Sequence, residues 1–231
     1  MKKGWKIFWI TCGATFAVGI ILFVAGLGMG ATMEMLKDRL PIKEAYNPDI
    51  QKSYQDIREL NLDTATGEIK ILKAQAGQQN ITVETHKISK ILKFKCYEED
   101  GVLNIETNEK AWNWLYAKNH AEDAKIYIYI PEDYELEETE LNLNAGSIYI
   151  EDIHTEQLDI DVDAGEVHAE HFLTNELSMN CDMGTIEVAG KTLGDADLES
   201  SVGEIDFTAI GSETDYNYDL NCDIGSIVCG T

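Results

Sequence analysis

LDIDVDAGEVHA (158–169) is followed by LSMNCDMGTIEV (177–188), and the two stretches align on Gly165 and Gly184, 19 residues apart. Within each, apolar and polar residues alternate with period two, the mark of strands with one buried face. Working outward, the same unit recurs as LNLNAGSIYI (141–150), ADLESSVGEIDF (196–207) and YDLNCDIGSIVC (218–229), with glycines at 146, 203 and 225. An outlying copy, LNLDTATGEIKI, is centred on Gly67.

Aligned on the glycine, the copies form columns. Five positions before it stand Leu62, Leu141, Ile160, Met179, Leu198 and Leu220; two after it stand Ile69, Ile148, Val167, Ile186, Ile205 and Ile227. Four after it stand Ile71, Ile150, Ala169, Val188, Phe207 and Cys229. A unit of roughly 20 residues cannot bury its own face, so the copies must stack. The expected fold is mostly β: an N-terminal transmembrane helix followed by a parallel β-solenoid with coils of about 19–20 residues. An antiparallel sandwich is the alternative, but it does not call for a constant period. Glycine falls where one strand hands over to the next, at a corner that needs positive φ or close backbone approach. Ile153, Phe172 and Ile210 mark a third, looser wall.

The expected organisation is a cytoplasmic tail (1–6), a transmembrane anchor (7–31), a juxtamembrane stalk (32–58) and the solenoid (59–231), whose clear repeats span 139–229. The anchor rests on an uncharged run beginning IFWITCGATFAVGIILFVAGLGMGA, preceded by Lys2, Lys3 and Lys6. That run is long enough to span a bilayer as a helix, and the flanking lysines place the N-terminus in the cytoplasm and the rest outside. A cleaved signal peptide is the competing reading. The five cysteines, Cys12, Cys96, Cys181, Cys222 and Cys229, show no zinc or CxxC spacing. Cys181 and Cys222 stand in one column two coils apart, beyond disulfide reach.

The net charge of −24 excludes nucleic acid as a partner, because a phosphate-binding surface must be basic. Beyond residue 31 the chain holds 42 acidic and 15 basic residues, a net of −27. Such a domain stays soluble and draws cations or basic partners. Outward columns carry Asn144, Asp163, Asp182, Ser201 and Asp223, and beside them Asn142, Asp161, Asn180, Glu199 and Asn221. Stacked carboxylates either stay solvated, shift their pKa or bind a hard cation, so Asp163, Asp182 and Asp223 are candidate Ca²⁺ ligands. No other cofactor is expected. A polysaccharide-cleaving site needs acid–base partners that these columns do not supply, so no enzyme is expected. Trp112, Trp114 and Tyr116, within AWNWLYAKNH (111–120), break the pattern. They are candidate ligand-binding aromatics, or else they cover the first coil.

The order of these segments carries a resemblance. A lysine-flanked anchor leads to LNLDTATGEIKI, ITVET, EEDGVLNIET and KIYIYIPEDYELEETELNLNAGSIYIEDI, then to repeated G-[EST]-[IV]-x-[IVF] units. Over roughly residues 55–229 this resembles the β-strand-repeat "putative adhesin" family, a domain-of-unknown-function family of Gram-positive envelope proteins. The resemblance implies an exported solenoid and offers no catalytic residues. It implies a structural or interaction module of the cell envelope whose cell-wall, glycan or protein partner is not specified. The alternative is a regulatory or sensor component of an envelope-stress system, acting through a membrane partner. Similar proteins continue past the unit that ends here at Thr231, so Leu220, Ile227 and Cys229 are expected to lie uncovered.

Overall fold

In a computed structural model, residues 46–107, 124–211 and 217–230 are described. The anchor segment 7–31 and the aromatic segment 111–120 lie outside them. The strands are β1 (Gln51–Tyr54), β2 (Glu59–Lys73), β3 (Ile81–His86), β4 (Lys95–Glu99), β5 (Val102–Glu106) and β6 (Lys125–Ile130). There follow β7 (Glu135–Ile150), β8 (Ile153–Ala169), β9 (Phe172–Thr174), β10 (Glu176–Thr192), β11 (Asp195–Ala209) and β12 (Asn217–Gly230). The described residues contain no α-helix, and the only helical turn among them is the 3-10 turn Lys90–Leu92.

Six long strands, β2, β7, β8, β10, β11 and β12, stack in parallel as successive coils of a β-solenoid. Their register runs glycine to glycine: Gly67 opposite Gly146, then Gly165, Gly184, Gly203 and Gly225. Close packing fixes that register. A Cβ at Gly146 would stand 2.0 Å from the Gly67 carbonyl oxygen, and Gly146 holds φ +145°, which side chains disfavour. The three apolar columns fall inside, as their alternation requires. From β2 to β11 every member is buried; in β12 Leu220 is half-buried, and Ile227 and Cys229 are exposed.

The third wall is real but short. β9 pairs with β8 and β10, seating Ile153 and Phe172 inside, whereas Ile210 is 45% exposed at its corner. Gly190 makes room there, since a Cβ would meet the Phe172 ring at 2.3 Å. At the turn beside this wall a second column stands in the interior: Thr155, Thr174 and Thr192. Thr174 Oγ1 donates within 3.0 Å to the carbonyls of Glu156 and Glu176. Thr155 and Thr192 bond the carbonyls of Gln157 and Asn175 in the same way. The buried hydroxyls thereby find carbonyl partners at the turn.

Chain order and spatial order differ at the other end. β5 and β6 together form a coil on the far side of β2, pairing in parallel with Glu59–Asp63 and Glu68–Lys73. Thr107 donates its N–H to the Asp63 carbonyl, and the Ala124 carbonyl accepts from Glu68 N–H. The chain thus leaves this coil at Thr107 and re-enters it at Ala124. Beyond it the pairing becomes antiparallel: β3 on β6, β1 on β3, and β4 on β5. Tyr54 and Ile57 are buried in this cap, and the Tyr54 hydroxyl lies 2.9 Å from the Cys96 thiol. Of the expected stalk over 32–58 only residues 46–58 are described, and Tyr54 and Ile57 among them are buried. Residues 51–54 form an edge strand, held by β3 although three of its four residues are exposed.

Candidate functional site

Because inward positions are filled by the core, whatever the domain binds must meet the outward columns or the loops. Three neighbouring columns behave as carboxylate ladders. Asp63, Glu140, Asn142, Asp159, Asp161 and Asp163 line an open groove of about 470 Å³ with Asn144 at its edge. Burial, reinforced by neighbouring carboxylates, raises two of these acids: Glu140 and Asp161 act on Asp159, Asp161 and Asp182 on Asp163. Partial relief comes from amides and hydroxyls interleaved between coils. Asn180 Nδ2 donates to Asp161 at 3.1 Å, and Ser201 Oγ to Asp182 at 3.4 Å.

The fold thus brings Asp163 and Asp182 together on adjacent coils, while Ser201 stands between Asp182 and Asp223 in the column. Among the described residues no group of three or more His, Cys, Asp and Glu side chains is arranged to hold a metal ion. Trp112, Trp114 and Tyr116 lie outside the described residues. Cys181 and Cys222 stand two coils apart with Ser200 between them, and both thiols are free. Each thiol points at a glycine carbonyl of the coil before it, Cys181 at Gly165 and Cys222 at Gly203.

A further outward ladder escaped the sequence reading. Three positions after the glycines, Tyr127 of the outlying coil, Lys70, Tyr149, His168 and Glu187 lie side by side. Tyr149 and His168 stack with ring centroids 5.5 Å apart and planes 6° from parallel. His168 Nδ1 lies 3.6 Å from Glu187, and the Tyr149 hydroxyl donates to Glu170 at 2.7 Å, which pushes its pKa up to about 12. Lys70 and Lys125 both clasp Glu68, holding its carboxyl below the usual range. The signal was present, since Tyr149, His168, Glu187 and Asp206 keep the 19-residue period, but mixed residue types hid it. A second open groove, of about 560 Å³, lies between residues 74–79 and 131–134, with Lys73 at its rim paired to Asp152 at 3.1 Å.

The strand order, the glycine register and the repeated unit find a counterpart among known families: the profile described as Toastrack DUF4097 matches residues 57–223. The chain belongs to the Toastrack DUF4097 family. The resemblance to β-strand-repeat "putative adhesins" is thereby borne out. Solved structures similar to this Toastrack chain include a "putative cell adhesion protein" from Clostridium sporogenes ATCC 15579, at 14% identity and TM-score 0.43, covering 79% of this chain and 98% of that one. A "putative adhesin" from Bacteroides fragilis NCTC 9343 has 14% identity and TM-score 0.34, covering 80% of this chain and 98% of that one. No curated protein matches. Among the described residues of the Toastrack chain no helix is long and apolar enough to cross a membrane, and residues 7–31 lie outside that search.

Proposed function

We propose that this Toastrack chain is anchored in the cell membrane by residues 7–31 and presents its solenoid outside as a structural and interaction module of the envelope. The observation that carries the reading is the glycine-to-glycine register of six parallel coils. It converts a repeated sequence into straight outward columns whose successive residues stand about 4.8 Å apart, suited to many small contacts along a surface. Anchoring is supported by the uncharged run after Lys2, Lys3 and Lys6. A binding role, in place of catalysis, is supported by the groove of Asp63, Glu140, Asp159, Asp161 and Asp163, whose lining holds carboxylates and amides and no basic group. Ca²⁺ is a cation these columns could attract, and a cell-wall, glycan or protein surface is the partner class.

The test is fractionation combined with protease shaving. Full-length protein should remain in membranes after carbonate washing, and protease added to intact cells should remove the solenoid. Recovery in the soluble fraction, or a domain untouched by protease until the cells are broken, would overturn the proposal.

A further inference from the structure

One position before each glycine, at the outer edge of the corner, the residues run Thr66, Ala145, Ala164, Met183, Val202 and Ile224. Small residues suffice in the earlier coils, so the corner itself does not require bulk. Yet the last three are large aliphatic side chains in register, 59%, 46% and 67% exposed, whereas the core residues Ile186 and Ile205 are fully buried. They make a continuous apolar ridge along the solenoid axis. Exposed apolar residues that adjoin one another mark contact sites more often than singly scattered ones do.

The surroundings specify what could cover it. Asp182 and Asp223 flank the ridge on one side and Glu204 on the other, with Asp163 and Glu166 one coil before its Met183 end, all exposed. From Glu176 to Gly230 the chain holds twelve acidic residues against one basic residue, Lys191. Lys191 belongs to the third wall, paired with Leu173, away from this corner. A second copy of the same face would bring carboxylates against carboxylates, and anionic lipid would be repelled in the same way.

We propose that the Met183–Val202–Ile224 ridge is a docking surface for a basic polypeptide segment carrying an apolar stripe. Its aliphatic side chains are covered by the stripe, and its carboxylate flanks meet lysines or arginines, which steer encounter and fix register. This deepens the interaction reading and rests on it, but does not depend on how the chain is anchored.

The experiment uses full-length protein in nanodiscs of zwitterionic lipid, with empty nanodiscs as the blank. A fluorescein-labelled peptide of four Lys-Val repeats is titrated by anisotropy and compared with one of four Lys-Ser repeats. The expected result is a preference of tenfold or more for the Lys-Val peptide. M183S/V202S should remove that preference, while L193S/I210S, which alters exposed apolar residues elsewhere, should leave it. D182N/E204Q should weaken binding several-fold and flatten its dependence on salt. Thermal melts confirm that each variant is folded. Equal binding of the two peptides, a preference that survives M183S/V202S, or equal loss in L193S/I210S would overturn the proposal. Partners cross-linked on intact cells whose recovery is unchanged by M183S/V202S would overturn the ridge alone. A solenoid inaccessible from outside would remove the interaction reading itself.

Discussion

A Cβ at Gly184 would stand 1.7 Å from the carbonyl oxygen of Gly165, and Gly184 holds φ +149°. The coils approach so closely here that no side chain fits between them, and backbone strain alone would not report this. Gly77 separates the two effects, because it holds φ +92° with nothing within 4 Å of an added Cβ. Gly184→Ala should cost about 3 kcal/mol or more in chemical denaturation, and Gly77→Ala about 1 kcal/mol. Similar losses from both would mean that coil spacing does not depend on the glycine column.

The buried columns make a second comparison. Ile205 is fully buried and its neighbour Glu204 points to solvent. Ile205→Asp places a charge in the stacked core and should cost several kcal/mol, on the order of 3 or more. Glu204→Lys should stay within about 0.5 kcal/mol. Melting curves that fall equally for both would show the register to be wrong by one residue.

How much of this was legible beforehand depended on period and polarity. The columns through Leu141, Ile148 and Ile150 could be read because each repeats at 19 residues, with one last step of 22, in one residue class. The coil made by β5 and β6 could not, because its two halves flank an insertion and its place before β2 reverses chain order. Gln51–Tyr54 carries too little alternation to announce a strand; antiparallel pairing with β3 makes it one. Asp163 and Asp182 were legible as neighbours from their shared column. The stack of Tyr149 on His168 was not, since a tyrosine and an imidazole do not read as one repeated type.

Thr155, Thr174 and Thr192 recur at 19 and then 18 residues but read as polar, although all three are buried. Thr174→Val preserves shape and removes the hydroxyl that serves the Glu156 and Glu176 carbonyls. A loss of about 1–3 kcal/mol is expected by urea titration. Unchanged stability would indicate that the hydroxyl adds nothing to the Asn175 N–H already donated to the Glu156 carbonyl.

The carboxylate ladder sets a pH dependence whose sign follows from Asp159 and Asp163. Both are raised, first by burial and then by neighbouring acids. A raised folded-state pKa contributes stability that is present below the unfolded value and lost as pH rises through the folded one. At neutral pH the ladder is therefore charged and unfavourable. The double variant Asp159→Asn, Asp163→Asn should melt at a higher temperature than the parent at pH 7, with the difference shrinking as pH falls toward 4. A difference that is constant or grows on acidification would contradict this.

The inter-coil hydrogen bonds of the solenoid run along its axis, so a pull between the β1/β3 cap and β12 loads them one layer at a time. Each layer is held by the same ladder, and no strand has to slide past another for it to give way. Such a domain yields by peeling, at modest force, in steps of one coil. With 19 residues between successive glycines from Gly146 to Gly203, each of those steps should release roughly 60 Å of chain. A stretched solenoid would then lengthen in near-equal increments over these coils before it breaks, and the coils could rewind in register when tension falls.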